Sequence, residues 1–294
     1  MKIEIKEISH PVFNVKDVRL FIKRIDKLHP LVSGNKFFKL KYNLLECERQ
    51  GLNTLLTFGG AYSNHIAASA FIANSKGLKS IGIIRGEECL PLNHTLRFAL
   101  ENGMKLHYVS RSDYKKKNTT NFFESLKNKF GNFYLIPEGG TNQLAIQGSK
   151  EIIDSGDYQD YICCSVGTGG TIAGIINASS AEQIVIGFPA IKGFKQLERD
   201  INSWTNSTNY TFINDYVGRG YAKINNELVN FINKFNITHN VPLDAIYNGK
   251  MFMGIMDLIE KDYFPKGSSI LAIHTGGLQA NQGMTERLGV ALPL

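Results

Sequence analysis

The stretch Ser33-Gly34-Asn35-Lys36-Phe37-Phe38-Lys39 decides the fold, because a lysine follows a Gly-Asn turn there and opens an apolar segment. Residues 37–45 carry apolar side chains at helical spacing and predict a helix with one buried face. Residues 18–25, before the turn, alternate polar and apolar side chains as a strand does. Lys36 is therefore predicted at a strand-to-helix junction, where apolar neighbours can desolvate its amine and lower its pKa until it serves as nucleophile or base. A solvated lysine in a first helical turn is the alternative, since lysines are rarely buried.

Strand and helix patterns alternate along the rest of the chain. This alternation predicts an α/β fold with parallel sheets flanked by helices, in which ligands bind beyond the carboxyl ends of the strands. Four predicted strands each end in a Gly-Gly pair, at Gly59-Gly60, Gly139-Gly140, Gly169-Gly170 and Gly276-Gly277. Four such pairs on one edge predict backbone N–H groups that line an anionic ligand.

The loop Gly167-Thr168-Gly169-Gly170-Thr171 follows the predicted strand at residues 161–165. It resembles a dinucleotide fingerprint, but Ile172 stands in place of the third glycine, and residues 187–190 lack an acid for a ribose. Two threonine hydroxyls and consecutive N–H groups suit one compact dianion, such as a phosphomonoester, better than a pyrophosphate. The loop therefore predicts a phosphate site and argues against NAD.

The composition is that of a soluble globular chain of 294 residues, with 43% hydrophobic and 20% charged residues. Neither a membrane segment nor a signal peptide is recognisable, so we expect a cytoplasmic protein. The four cysteines lack disulfide or zinc spacing, and we expect free thiols and no metal. The net charge of +7 comes from dispersed lysines, apart from a run at residues 115–117 in a polar loop. We expect neither a nucleic-acid nor a membrane partner.

Five motifs, read together, resemble one known family. It is the 1-aminocyclopropane-1-carboxylate (ACC) deaminase and D-cysteine desulfhydrase family of pyridoxal 5'-phosphate (PLP) enzymes, which has the tryptophan-synthase β-like fold. The resemblance runs in order from about Leu20 to Gly277. Its motifs are Ser33-Gly34-Asn35-Lys36-Phe37-Phe38-Lys39-Leu40, Gly59-Gly60-Ala61-Tyr62-Ser63-Asn64-His65, Val166-Gly167-Thr168-Gly169-Gly170-Thr171, Tyr247-Asn248-Gly249-Lys250 and His274-Thr275-Gly276-Gly277.

The resemblance implies two domains, each with a helix-flanked and mostly parallel sheet, and a cofactor in the cleft between them. We expect residues 1–40 plus 137–294 to form the large PLP-binding domain. Residues 41–136 would then form a small inserted domain. A homodimer is expected, as is usual in the family and common among oligomers.

The resemblance also implies a set of cofactor contacts. Lys36 corresponds to the lysine that binds PLP covalently, and Lys39 to a residue near the phosphate. Asn64 corresponds to the partner of the 3-hydroxyl group. The phosphate loop corresponds to Gly167, Thr168, Gly169, Gly170 and Thr171, and Asn248 and Thr275 would face the pyridine nitrogen.

For the substrate, the resemblance implies that the segment Ser63, Asn64 and His65 binds the carboxylate. The Ser63 hydroxyl would also assist proton transfer. Often a glutamine stands where this chain has His65, so the histidine is alternatively structural. Tyr247 and Tyr221 correspond to active-site tyrosines, and the alternative for each is a packing residue with a hydrogen-bonded hydroxyl.

The function implied is a PLP-dependent lyase that performs β-elimination on a small amino acid, as D-cysteine desulfhydrase does, giving pyruvate, ammonia and hydrogen sulfide. ACC deaminases of the family typically carry a glutamate after the active-site tyrosine and a leucine after the histidine of the final motif. This chain has Asn248 and Thr275 there, and either could donate to an unprotonated pyridine nitrogen. The alternatives are an ACC deaminase, a cysteine-synthase-like β-replacement enzyme, and a non-catalytic PLP or amino-acid binding protein.

Overall fold

The structure is a computed structural model that describes residues 3–32, 34–218, 220 and 222–294. Its strands are β1 (Ile5–Ile8), β2 (Arg19–Lys23), β3 (Thr54–Gly59), β4 (Lys79–Arg85), β5 (Met104–Val109), β6 (Tyr134–Ile136), β7 (Tyr161–Val166), β8 (Ile184–Pro189), β9 (Tyr210–Phe212) and β10 (Ser269–Ile273). Its helices are α1 (Pro11–Lys16), α2 (Asn35–Arg49), α3 (Asn64–Ser75), α4 (His94–Glu101), α5 (Arg111–Tyr114), α6 (Thr120–Phe130), α7 (Gln143–Lys150), α8 (Gly170–Ala178), α9 (Lys195–Trp204), α10 (Asn226–His239), α11 (Asn248–Glu260) and α12 (Gln279–Leu288).

These strands form two sheets. The larger has the order β1-β2-β10-β7-β8-β9, and the smaller has the order β5-β4-β3-β6. All pairs are parallel except β1 with β2, which is antiparallel. The chain leaves the larger sheet after β2, builds the smaller sheet, and returns at β7.

Both faces of the larger sheet are buried, as expected for parallel strands covered by helices. Leu20 and Ile22 of β2 pack into one apolar cluster with α10 and α11, whereas Phe21 packs into the opposite cluster with α8. This alternation follows from the two-residue period of a strand. In the smaller sheet, Leu55 packs against α2 and α3, while Leu56 packs with α6 on the other face.

The architecture confirms the predicted α/β fold with two helix-flanked sheets. The predicted strand at residues 18–25 is β2, and the predicted helix after Lys36 is α2. The division into 1–40 plus 137–294 and 41–136 stays a prediction, although β3 to β6 lie within the second range. No helix among the described residues is long and apolar enough to cross a membrane. Within the same residues, no group of three or more His, Cys, Asp or Glu side chains could hold a metal ion.

Candidate active site

A cavity of about 370 Å³ lies where the two sheets meet. Its wall combines residues that follow β7 and β10 of the larger sheet with the start of α3, which follows β3 of the smaller sheet. Three of the four predicted Gly-Gly pairs contribute to it, through Gly139, Gly169 and the pair Gly276-Gly277. Gly59 lies behind the wall, where an added Cβ would crowd the Ser63 side chain. The carboxyl ends of parallel strands thus surround a volume suited to a small ligand.

Two lysines from one face of α2 point to the same carbonyl group in this cavity. Lys36 Nζ lies 3.3 Å from the Gly139 oxygen, and Lys39 Nζ lies 2.6 Å from it. Desolvation at the cavity wall lowers the pKa of Lys36 to about 8. Burial, and then the nearby charge of Lys36, lower the pKa of Lys39 well below its usual value. The environment thus raises the fraction of neutral Lys36 amine, the form that acts as nucleophile.

Gly34 allows α2 to begin against the end of β10. Its φ is 65°, a left-handed conformation, and a Cβ on it would overlap the Thr275 carbonyl oxygen. That oxygen accepts the backbone N–H of Asn35 at 3.2 Å. The glycine therefore brings the first turn of α2, and with it Lys36, against Thr275.

The loop between β7 and α8 forms a cradle for an anion. Gly169 has a φ of 83° and precedes Gly170, the first residue of α8. The Thr171 hydroxyl accepts from the Asn35 side chain at 2.8 Å, and Thr168 Oγ1 lies 3.4 Å from Lys39 Nζ. A helix N-terminus, hydroxyl groups and a nearby amine are the features that bind phosphate.

The segment Ser63-Asn64-His65 begins α3. Ser63 is its N-cap, and its hydroxyl accepts from the Ile66 N–H at 3.3 Å. Asn64 lines the cavity, and its Oδ1 is buried without a hydrogen-bond partner among the described residues. Such an unpaired amide oxygen is expected where a ligand completes the site.

His65 is buried, and both of its ring nitrogens face protein groups. Nε2 lies 2.7 Å from the Thr57 hydroxyl, which itself donates to the Ile136 carbonyl, and Nδ1 lies 3.5 Å from Ser69 Oγ. Desolvation, and then the charges of the two cavity lysines, lower its pKa well below the usual value. These contacts favour the structural alternative, a neutral histidine that braces the start of α3 against β3.

Tyr247 precedes α11, and its ring lies against the phosphate loop. A Cβ at Gly167 would be 3.1 Å from the ring, so a larger residue there would require the ring to shift by a few tenths of an ångström. Tyr247 lines the cavity. Tyr221 and its neighbour Arg219 lie outside the described residues, so the predicted role of Tyr221 stays a prediction.

The position of Asn248 differs from the predicted one, in which its side chain faces the cofactor. It is fully buried behind Thr275, and both of its side-chain N–H groups are used, by Asp244 at 2.6 Å and by the Gly276 carbonyl at 2.7 Å. Its Oδ1 accepts the backbone N–H and the hydroxyl of Thr275, at 3.1 and 3.2 Å. The expectation that Asn248 donates to a ring nitrogen is therefore wrong, because no donor remains. Thr275 does line the cavity.

Sequence reasoning missed Ser165, which lines the cavity, and Thr141, which contacts Lys39. Ser165 is the last polar residue of β7, and its hydroxyl lies 3.2 Å from Thr275 Oγ1. Thr141 accepts from Lys39 Nζ at 2.8 Å. The Gly139-Gly140 pair marked the position of Thr141, whereas nothing local distinguished Ser165 from other strand residues.

Comparisons with known proteins agree with this geometry. The family model described as pyridoxal-phosphate dependent enzyme matches residues 8–276. A bifunctional D-cysteine desulfhydrase/1-aminocyclopropane-1-carboxylate deaminase of Arabidopsis thaliana mitochondria is 32% identical, over 88% of this chain and 72% of its own. A Pyrococcus abyssi protein with a provisional name as a 1-aminocyclopropane-1-carboxylate deaminase is 30% identical, over 89% of this chain and 85% of its own. The solved structure of an ACC deaminase homologue superposes with a TM-score of 0.84 at 24% identity, covering 98% of this chain and 93% of its own.

Proposed function

Because the chain belongs to the family of pyridoxal-phosphate dependent enzymes, we propose that it catalyses β-elimination on a small amino acid in the cavity described above. The products from D-cysteine would be pyruvate, ammonia and hydrogen sulfide. The predictions of the family, of an enzyme and of PLP as cofactor are confirmed by the family match and by the relatives. The substrate and the residue roles are our proposal.

The residues present fit PLP. The loop at Gly169 and the N-terminus of α8 offer N–H groups and hydroxyls for a phosphate, with Lys39 beside them. Lys36 offers an amine with a lowered pKa for the aldehyde carbon. Asn64 offers an amide oxygen that is buried without a hydrogen-bond partner within the described chain. The phosphate, aldehyde and hydroxyl groups of PLP would thus each have a suitable partner: the phosphate loop with Lys39, the Lys36 amine and the Asn64 amide.

When bound, PLP supplies an electron sink for the electron pair released at the substrate Cα. The Lys36 amine would act as the general base that takes the substrate Cα proton. The Ser63 hydroxyl and the N–H groups at the start of α3 hold the substrate carboxylate. Tyr247 lies across the cavity beside Gly167, in a position to exclude water and orient the substrate.

One observation favours β-elimination over ring opening: the residue that follows Tyr247 is Asn248, an amide rather than a carboxylate, and it is buried behind the cavity wall. Among the described residues that line the cavity, Asp26 is the only acid, and it is paired with Arg24 at 2.6 Å. A carboxylate in contact with the ring nitrogen would hold it protonated and deepen the electron sink. Opening a cyclopropane needs that help more than releasing a good leaving group does.

ACC deamination is the second candidate, and the names of the relatives favour it. The Pyrococcus abyssi relative is provisionally named for this activity alone, and the Arabidopsis relative is named for both activities. The cavity has the same lysine and phosphate loop to offer either substrate. The reaction must therefore be decided by turnover.

The test compares kcat/KM for D-cysteine, L-cysteine, β-chloro-D-alanine and ACC with the PLP-loaded protein. We expect pyruvate from the β-substituted alanines and little or none from ACC. Faster turnover of ACC than of every β-substituted alanine would assign ACC deamination instead. Cysteine formed from sulfide and an activated serine would indicate β-replacement, and no turnover of any substrate would indicate a binding protein.

A further inference from the structure

An amide group with only one of its two ends in use lies at the edge of the cavity. Gln279 is the first residue of α12 and lines the cavity. Its Nε2 donates to the Thr95 hydroxyl at 2.6 Å. Its Oε1 is buried and has no hydrogen-bond partner among the described residues. Buried polar atoms in proteins are rarely left in this state unless a ligand or water completes them.

Turning the amide over does not remove the unused end. A threonine hydroxyl donates as well as accepts, so Thr95 could equally bond the Gln279 carbonyl, and an unpaired N–H group would then take the place of Oε1. The free end can therefore meet either a donor or an acceptor on a ligand. In neither orientation does the described part of the chain satisfy it.

Thr95 is well placed to fix this amide. It is fully buried in the first turn of α4, which connects β4 and β5 of the smaller sheet, whereas α12 follows β10 of the larger sheet. A second contact joins the two helices, because the Arg97 guanidinium lies 3.9 Å from the Glu286 carboxylate. The Thr95 hydroxyl thus holds the Gln279 side chain at the junction of α4 and α12.

The first turns of these two helices form one corner of the cavity, which we call the α4–α12 corner. Its lining residues are His94, Phe98, Leu278, Gln279 and Gln282. None of the five is a lysine, arginine, aspartate or glutamate, so the corner suits a neutral polar group better than an ion. The corner is close to the start of α3, since a Cβ at Gly277 would be 3.1 Å from Asn64 Nδ2.

The proposed function leaves one part of the substrate without a partner. Its carboxylate is assigned to Ser63 and its Cα proton to Lys36, but no residue is assigned to the β-substituent. We propose that the free amide end of Gln279 hydrogen-bonds a neutral polar β-substituent, and that Thr95 is the positioning residue that orients this amide. Gln279 is then a specificity-determining residue, which favours a leaving group such as a carbamate ester over a halide. The inference rests on the proposed function.

O-carbamoylserine and β-chloroalanine are the two probes. The carbamate ester carries N–H donors and a carbonyl acceptor, whereas the chloride carries neither. In both reactions Lys36 takes the Cα proton, the electron pair of the Cα–H bond forms the Cα–Cβ double bond, and the leaving group departs with the electron pair of its bond to Cβ. Water then converts the released enamine to pyruvate and ammonia. Pyruvate is the product to measure, since carbamate itself decomposes to ammonia.

The test is the ratio of kcat/KM for O-carbamoylserine to kcat/KM for β-chloroalanine, with the enantiomer that the wild type turns over faster. In Gln279→Met we expect this ratio to fall about two- to tenfold, the range of one hydrogen bond. Thr95→Val should lower the ratio as well, and Thr95→Ser should retain it. The Thr95→Val/Gln279→Met double variant should show no further loss than Gln279→Met, because the hydroxyl acts through the amide.

Gln282→Met is the matched control, because Gln282 is the same residue type on the same helix and also lines the cavity. It should leave the ratio unchanged. An unchanged ratio in Gln279→Met, or an equal fall in Gln282→Met, would overturn the inference while β-elimination stands. Gln279→Leu is a second variant without the amide, so a folding defect in one of the two does not decide the result. A wild-type protein that turns over neither probe would contradict the proposed function, and the inference with it.

Discussion

Lys36 and Lys39 share one helix face and one carbonyl acceptor, yet the structure gives them different surroundings. Lys36 contacts Gly139 at 3.3 Å and is half-buried at the wall, whereas Lys39 is almost completely buried and also bonds Thr141. A loosely held amine is available for bond formation. Burial disfavours the charge of the tightly held Lys39 amine, and a bound phosphate dianion would favour that charge again. This difference separates their proposed roles.

The lowered pKa of Lys36 predicts a pH-dependent reaction with PLP. Only the neutral amine attacks an aldehyde, and its neutral fraction rises through a pKa of about 8. The rate of cofactor incorporation should therefore rise with pH and level off above that value. Stopped-flow absorbance of the apoprotein mixed with PLP, from acidic to alkaline pH, measures it. A rate that rises only near the ordinary lysine pKa would show that the amine is not desolvated.

Replacing Lys39 tests the phosphate contact. Lys39→Met removes a charge-assisted bond worth about 1.5–3 kcal/mol, so PLP should bind roughly ten- to a hundredfold more weakly. The visible absorbance of lysine-bound PLP should still appear at saturation, because Lys36 remains. Lys41→Met is the control, since Lys41 is exposed on the same helix and pairs with Glu151 at 2.7 Å. Equal losses in the two variants would contradict a specific role for Lys39.

At the scale of elements, the start of α2 depends on its contact with the end of β10. Gly34 and Gly51 flank α2, both have a φ of 65°, and they differ in surroundings. A Cβ at Gly34 would overlap the Thr275 carbonyl, whereas nothing lies within 4 Å of one at Gly51. Substituting each glycine therefore separates the free-energy cost of the left-handed conformation, common to both, from the cost of the close approach to Thr275, found only at Gly34.

Gly51→Ala should lower the free energy of unfolding by about 1–2 kcal/mol, the cost of a left-handed conformation. Gly34→Ala adds the displacement of α2 from β10, about 1–3 kcal/mol more for overpacking, and should also weaken PLP binding. Urea denaturation and PLP titration of both variants measure these effects. Similar losses of stability and unchanged PLP affinity in both would refute the importance of this contact.

Local patterns predicted most elements but could not predict their partners. The alternation in residues 18–25 and the helical spacing after Lys36 identified β2 and α2 because both signals are contained in a few residues. The short edge strand β1 was missed, since its four residues are mostly outside the core. The same limit applies to Asn248, whose partners Thr275 and Gly276 are distant in sequence. Their hydrogen bonds become apparent only once β10 and α11 are packed.

Over the whole molecule, the cavity exists because the chain leaves the larger sheet after β2 and returns at β7. Lys36 comes from the helix that follows β2, the phosphate loop follows β7, and the Ser63 segment follows β3 of the smaller sheet. Each predicted site residue within the described chain, apart from Gly170 and Asn248, lines this one cavity. Gly170 lies just beneath it, where an added Cβ would be 3.4 Å from Lys39 Cε.

The central claim is that this cavity binds PLP through Lys36. Borohydride reduction of the PLP-loaded protein fixes the cofactor to the amine that carries it, and mass spectrometry of the digested chain locates that amine. We predict the label on Lys36, and its loss in Lys36→Ala. A label on Lys39, on Lys250 or on a surface lysine, with Lys36 unmodified, would contradict the account.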